Sequence, residues 1–236
     1  MASDGRIPLC VFAKPPRPGR AKTRLAAVIG DEAACDLATA FISDFISLAL
    51  SYEWAMPVLA TTEDGMDDKG FPQAAYPPGV DPQNVPRWLQ PAGDLGAKLE
   101  GVVRRGLEAA PAVICCGADS PGRPRARLEE ARERLQSGCD AVLGPTEDGG
   151  YDILGLRQCP DGLLADLPWS QPTTFEATYK RFEERGLRIA LLDRWWDVDE
   201  VEDLQQLRAL FGEEGGEARA PATAAALARA GLAGAA

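Results

Sequence analysis

The sequence contains no histidine. That absence removes His-based nucleophilic triads, His general bases and His-ligated zinc. Cysteine occurs six times (Cys10, Cys35, Cys115, Cys116, Cys139, Cys159), but the spacing matches no zinc pattern. Cys10, Cys115 and Cys116 lie in strand-like apolar runs, so the six read as reduced, mostly buried thiols of a cytoplasmic protein. Any metal must then be a hard cation held by carboxylates. No stretch approaches the roughly 20 apolar residues that span a bilayer. The opening MASDGRIPLC lacks a cationic segment followed by a long apolar one, so no signal peptide and no membrane partner are expected. Cations are scarce: 25 Lys and Arg face 36 Asp and Glu, for a formal net charge of -11. An acidic chain of this kind is not expected to bind a nucleic acid polymer, which leaves room for a small anion in a local basic pocket. Gly-x-x-x-x-Gly-Lys-Ser/Thr is absent, as is the glycine-rich dinucleotide fingerprint.

What is present has the length and rhythm of one large α/β domain. The chain has 236 residues, enough for a full core. Apolar runs at Leu9–Ala13, Met56–Thr61, Ala112–Gly117, Asp140–Gly144, Tyr151–Leu156 and Arg188–Leu192 read as strands. Between them, helical spacing is expected from Arg20 or Asp31 to Leu50, then over Ala97–Ala109, Arg125–Ser137, Thr173–Arg185 and Val201–Phe211. Such alternation predicts a mostly parallel sheet with right-handed crossovers, whose ligands sit at the carboxyl ends of the strands. The domain is drawn at residues 1–211. Residues 212–236, rich in Gly and Ala, are expected to form a frayed, mobile tail with at most a weak helix at Thr223–Ala230.

The chemistry-bearing residues fall at those strand ends. Lys14, Arg17, Arg20, Lys22 and Arg24 crowd a loop stiffened by Pro15, Pro16, Pro18 and Gly19. That set suits the phosphates of a nucleotide, or is a solvated basic loop. Asp119, in Gly117-Ala118-Asp119-Ser120-Pro121, can hold a divalent cation or cap the following turn. Asp197 and Asp199 are two apart. Asp197 is the favoured metal ligand, and Asp199 the favoured cap of a helix with Glu202 as its capping-box partner. Glu147-Asp148-Gly149-Gly150 places two acids on a double-glycine turn, as an acceptor site, a base or a plain hairpin. Gln90 to Gly96 is a glycine-punctuated turn that can face a base and ribose or simply open a helix. Trp169 is an acceptor-side wall or a buried anchor.

In this order the motifs resemble the DUF2064 group of glycosyltransferase A-type, nucleotide-diphospho-sugar transferase proteins. Some members of that group are associated with radical-SAM proteins and arsenosugar biosynthesis. The matching pieces are Phe12-Ala13-Lys14-Pro15, Gly19-x-x-Lys22-Thr23-Arg24-Leu25, Gln90-x-x-Gly93-Asp94-Leu95-Gly96, Gly117-Ala118-Asp119-Ser120-Pro121, Gly144-Pro145-x-Glu147-Asp148-Gly149-Gly150-Tyr151, Leu167-Pro168-Trp169-Ser170 and Asp197-Val198-Asp199-x-x-x-Asp203-Leu204. They span about residues 7–211. The resemblance implies a Rossmann-like three-layer sandwich and a metal-dependent transferase using a nucleotide sugar and a small-molecule acceptor. Through the neighbouring phospholactate guanylyltransferases it also implies an alternative, a nucleotidyltransferase joining an NTP to a phosphorylated small molecule. By that likeness Ala13, Lys14, Gly19, Lys22 and Arg24 would meet the phosphates, and Gln90, Gly93, Asp94 and Gly96 the base and ribose. Glu147, Asp148, Gly149, Gly150 and Trp169 would meet the acceptor. Asp119 with Asp197 or Asp199 would hold Mg2+ or Mn2+, with Lys22, Asp119 and Asp148 catalytic. A homodimer is left open. Two departures stand out: Asp152 follows Tyr151 where an apolar or aromatic residue is usual, and Asp119 is a single carboxylate where Asp-x-Asp is common.

Overall fold

The computed structural model describes residues 5–67 and 70–233. Its strands are β1 (Ile7–Phe12), β2 (Ala55–Thr61), β3 (Arg87–Leu89), β4 (Val113–Gly117), β5 (Ala141–Pro145), β6 (Tyr151–Leu156) and β7 (Ile189–Leu191). Its helices are α1 (Thr23–Ile29), α2 (Asp31–Leu50), α3 (Leu95–Leu107), α4 (Arg125–Gln136), α5 (Thr174–Glu184), α6 (Asp203–Gly212), α7 (Gly216–Arg219) and α8 (Pro221–Arg229). The seven strands form one sheet in the order β3-β2-β1-β4-β6-β5-β7. Six run parallel to one another, while β6 is antiparallel to both β4 and β5. The reason is local: residues 146–150 join β5 to β6, too short a link for the crossover that a parallel pair needs.

Each central strand feeds two cores, as an alternating strand buried on both faces must. Leu9, Val11, Leu59, Ile114, Cys116, Val142 and Ile153 face α2 and α4, with Ile42, Phe45, Ile46, Leu128, Ala131 and Leu135. Cys10, Val58, Val113, Cys115, Leu143 and Leu154 face α3 and α5, with Leu99, Val102, Val103 and Phe182. The result is the three-layer α/β sandwich expected. All six cysteines are free thiols.

Of the two starts expected for the helix ending at Leu50, Asp31 is the one found; a separate helix α1 precedes it and ends at Gly30, whose φ is 89°. Three expectations are corrected. Strand β3 was not anticipated, because it is only three residues long and too short to form an apolar run. α2 does reach the length and apolarity of a membrane span, with 61% of its apolar window buried inside the protein. Here that apolarity serves the core, since α2 is covered by the sheet on one side and by other helices on the other. Finally, the segment past Phe211 is not frayed over residues 216–229. α8 lays Thr223, Ala226 and Leu227 against Leu37, Ala40 and Phe41 of α2 and Leu207 and Leu210 of α6. Asp44 of α2 accepts hydrogen bonds from the Ala222 N–H (2.9 Å), the Thr223 N–H (2.8 Å) and the Thr223 hydroxyl (2.6 Å). It thus caps α8 from another helix.

Candidate active site

Three segments distant in sequence meet at the carboxyl ends of β1, β4 and β7. The first is the loop between β1 and α1. At its end Lys22 takes a left-handed backbone (φ 44°, ψ 53°) and serves as the N-cap position of α1, a conformation uncommon for a residue with a side chain. From there its ammonium lies 2.8 Å from Asp119 Oδ1 and 2.7 Å from Asp199 Oδ1. The lysine side chain is 7% exposed and the two carboxylates are each 49% exposed. Burial works to lower the Lys22 pKa, but the charges of Asp119 and Asp199 outweigh it and the pKa is raised. Lys22 is therefore held as a cation.

The second and third segments are stitched together by backbone. Trp195 N–H donates to Pro145 O (3.0 Å) and Glu147 N–H to Trp195 O (3.2 Å), carrying the chain after β7 along β5. Val198 N–H then donates to Asp119 O (2.8 Å), which brings Asp197 and Asp199 to the segment that follows β4. Asp199 is not the helix cap expected of it. α6 begins later, at Asp203, whose carboxylate accepts the N–H groups of Asp199 (2.8 Å) and Glu200 (2.7 Å). The Asp199 carboxylate takes Lys22 instead. Asp197 is half-buried, and its pKa is pushed up to about 6, first by burial and then by the charges of Asp148 and Asp199.

The turn after β5 holds Asp148. Its Oδ1 accepts from the Thr146 hydroxyl (2.5 Å) and the Gly150 N–H (2.9 Å), so the hairpin turn and the candidate acceptor site are the same object. Gly149 has φ 86°, and a Cβ there would lie 2.0 Å from Pro172 O. Only glycine allows the turn to pack this closely against the segment that opens α5.

Beneath the site lies a buried triad of which only Asp152 stands out in the sequence. Asp152 is buried in β6 and receives Arg123 Nε at 3.0 Å and Arg127 Nη2 at 2.8 Å, with all three side chains at most 6% exposed. Arg123 also donates to Gly117 O (3.4 Å), and Arg127 donates to Asp193 O. The triad thereby ties β6 to the Asp119 loop and to the segment leading to Asp197. The available signal was Asp152 itself, a carboxylate flanked by Tyr151 and Ile153 inside a strand.

Two cavities meet at Asp119 and Asp199. One, of about 420 Å³, is lined by Ala13, Lys14, Arg20, Lys22 and Arg24 with Asp119 and Asp199. The other, of about 510 Å³, is lined by Asp119, Asp148, Gly150, Tyr151, Trp169, Asp197 and Asp199 among others. Arg24, Asp119 and Asp199 belong to both.

Other sequence candidates lie elsewhere. Gln90 donates its amide to Ala60 O (2.8 Å), and Asp94 caps α3 by accepting the Ala97 N–H (2.9 Å). At Gly93 a Cβ would meet that of Ala97 at 2.9 Å, and at Gly96 it would meet Leu164 O at 2.1 Å and Trp169 Nε1 at 2.7 Å. These four positions line neither cavity, although Leu95 between them lines the second. Gly19 and Gly149 shape their loops without lining a cavity, and Glu147 lines a smaller cleft with Asp148, Asp197 and Asp199. Among the described residues no group of three acidic or cysteine side chains is disposed to hold a metal ion. Of the two partners considered for Asp119, Asp197 and Asp199, it is Asp199 that shares an ammonium with it, that of Lys22.

A family model described as "uncharacterized protein conserved in bacteria" (DUF2064) matches residues 49–171, just over half of the chain. This chain belongs to the DUF2064 family. The matched segment contains Asp119 and Asp148 and leaves Lys22 and Asp199 outside it. Among solved structures, a protein of Desulfovibrio desulfuricans G20 provisionally named a nucleotide-diphospho-sugar transferase superposes on the DUF2064 chain with a TM-score of 0.82. The alignment has 25% identity and covers 96% of each chain. CMP:2-keto-3-deoxy-manno-octonic acid synthetase, solved with CTP, superposes with a TM-score of 0.53 at 13% identity, over 89% of this chain and 99% of that one. That second likeness is one of fold. Comparison with curated protein sequences found no match.

Proposed function

We propose that this DUF2064 protein is a transferase that moves a glycosyl group from a nucleotide-activated sugar to a small acceptor. The observation that carries the reading is the pair of cavities that meet over Asp119–Lys22–Asp199, one cationic and one acidic. Lys14, Arg20, Lys22 and Arg24 supply the charge that a diphosphate needs, in a protein whose overall charge would otherwise repel it. The likeness to the Desulfovibrio protein supports the choice of donor.

In the reaction, an acceptor hydroxyl or amine forms the new bond to the anomeric carbon. The bond from that carbon to the diphosphate oxygen breaks, and its electron pair leaves with the nucleoside diphosphate. The acceptor proton passes to a carboxylate of the second cavity. Asp148 is placed for this, with Oδ1 fixed by Thr146 and Gly150 while its other oxygen takes no part in those bonds. Lys22 stabilises the charge gathering on the departing diphosphate. The donor set fits a hard divalent cation, Mg2+ or Mn2+, because its members are all carboxylates and the Lys22 ammonium already occupies a cation position between two of them. Asp119 and Asp199 would hold the ion, which would offset diphosphate charge when bound.

The test is a melting-temperature screen of nucleoside diphosphates, nucleoside triphosphates and nucleotide sugars, each with and without Mn2+. At least one diphosphate or nucleotide sugar should raise Tm by several degrees, in a metal-dependent way. If only triphosphates act, and pyrophosphate is released, the glycosyl reading fails. If nothing shifts Tm, the nucleotide reading fails with it.

A further inference from the structure

The second cavity carries a statement about the acceptor. Four carboxylates, those of Asp119, Asp148, Asp197 and Asp199, line it beside the guanidinium of Arg24. The Lys22 ammonium bridges Asp119 and Asp199 at 2.8 and 2.7 Å, so the surplus negative charge rests with Asp148 and Asp197. Arg24 is largely exposed and is drawn outward to Glu200 at 3.1 Å. Asp152 also touches the cavity, but its charge is taken up by Arg123 and Arg127. The cleft continuing past Asp148 adds Glu147, Glu200 and Asp203. A bound donor would bring its own diphosphate to this edge, so even a divalent cation leaves no surplus of positive charge there. A phosphate monoester entering the cavity would meet like charge on several sides, which acts as a built-in rejection.

What the walls favour is equally specific. Carboxylate oxygens accept hydrogen bonds from hydroxyls and ammonium groups. Opposite them stand Trp169 and Tyr151, edge-to-face with ring centres 6.2 Å apart. Beside these rings an apolar slot of about 130 Å³ runs inward between β4, β6 and α3, lined by Phe12, Leu95, Leu99, Cys115 and Leu154. It shares Leu95, Gly117, Tyr151 and Asp152 with the larger cavity. A molecule that is polar on one side and apolar on the other suits such a space.

Building on the transferase reading, we propose that the acceptor is an uncharged polyol or an amine with a small apolar part, and that this cavity excludes phosphate monoesters. The carboxylates of Asp148 and Asp197 select by charge, and the slot selects by shape.

The experiment measures binding of glucose, glucosamine and glucose 6-phosphate by calorimetry at matched ionic strength. It uses protein saturated with whichever of UDP, GDP, CDP, ADP or dTDP binds. If none binds, the transferase reading has failed, and inorganic pyrophosphate fills the cationic cavity instead, so the acceptor preference is still read. The expected result is that glucosamine or glucose binds at least tenfold tighter than glucose 6-phosphate. Asp148→Asn should shrink that ratio at least threefold and Asp148→Lys at least tenfold, with the Asn variant serving if the Lys variant does not fold. The proposal is overturned if the phosphate ester binds as tightly as the other two. It is also overturned if none of the three binds, or if neither substitution changes the ratio.

Discussion

Lys22 combines a left-handed backbone, a nearly buried ammonium and two carboxylate partners that lie far from it and from each other in sequence. A left-handed residue with a side chain costs about 1 kcal/mol, which is tolerated where the surroundings hold it in place. Lys22→Met removes the cation from both the phosphate side and the carboxylate side. Because Asp119 and Asp199 are about half exposed, water screens their repulsion, and stability should fall by no more than about 1 kcal/mol. Turnover should fall at least about 100-fold, as when a donor to a developing anion is lost. Activity and urea denaturation measured on the same preparation check this, and a variant that keeps its turnover would remove Lys22 from the chemistry. Asp152 has the opposite profile. Asp152→Ala leaves two buried guanidinium groups without a counter-charge, so about 3–5 kcal/mol of stability should be lost. Arg134→Ala, which breaks an exposed pair with Glu130, should leave the denaturation midpoint almost unchanged. Denaturation midpoints near one another for these two variants would contradict the anchoring role. At this scale the sequence was half legible. Lys22 and Asp119 stand out as charges beside apolar strands, but the choice between Asp197 and Asp199 depends on a backbone bond from Val198 to Asp119. The Asp152 triad stayed hidden because burial cannot be read from a charged letter.

At the scale of elements, long apolar runs were legible and short or borrowed structure was not. β1 and β4 are continuous apolar segments, β6 is one interrupted only by Asp152, and all three appear close to where expected, while β3 has three residues and owes its existence to the edge of β2. α8 borrows its cap. Pro221 at its first position lacks an N–H, and the next two N–H groups go to Asp44 of α2. Nothing local announces that link across about 178 residues. Asp44→Ala strips acceptors from two buried N–H groups and a hydroxyl, so a loss of about 2–3 kcal/mol is expected, with hydrogen-exchange protection falling first in α8. The same carboxyl makes a pH prediction. Burial raises its pKa above the usual 3.8 against the pull of its three hydrogen bonds. The folded state therefore holds the proton longer than the unfolded chain does, so the group's contribution is fully present below pH 3.8 and declines as pH rises through the raised folded value. The difference in unfolding free energy between wild type and Asp44→Asn should fall over that interval and level off above it. A difference that rises with pH would reverse the assigned direction.

Over the whole molecule, two kinds of unevenness organise function and stability. Charge is uneven: a chain of net charge -11 gathers its cations at one loop and sets carboxylates opposite. That pattern was visible in sequence because the loop breaks an apolar strand with five cations in eleven residues. Apolar cover is uneven as well, and this was not visible. The Gly- and Ala-rich composition past Phe211 reads as a tail, yet alanine is a strong helix former that packs closely because it is small. Ala220, Thr223, Ala226 and Leu227 are each at most 1% exposed, on a surface that includes Phe41, Leu207 and Leu210. A chain ending at Phe211 would open that surface to water and strand Asp44 without its donors. Two or three side chains re-exposed at about 1.5–2 kcal/mol each amount to about 3–6 kcal/mol, or on the order of 10 °C in Tm for a domain of this size. The cationic cavity draws nothing from residues past Phe211, so the shortened protein, kept well below its lowered Tm, should bind nucleoside diphosphate with an affinity within about twofold of the full chain. Calorimetry on the two lengths separates the outcomes. An unchanged Tm would return residues 212–236 to the status of a tail. A lost affinity at low temperature would mean that α8 supports the site through α2, which lends Ala38 and Ile42 to the wall of the cationic cavity.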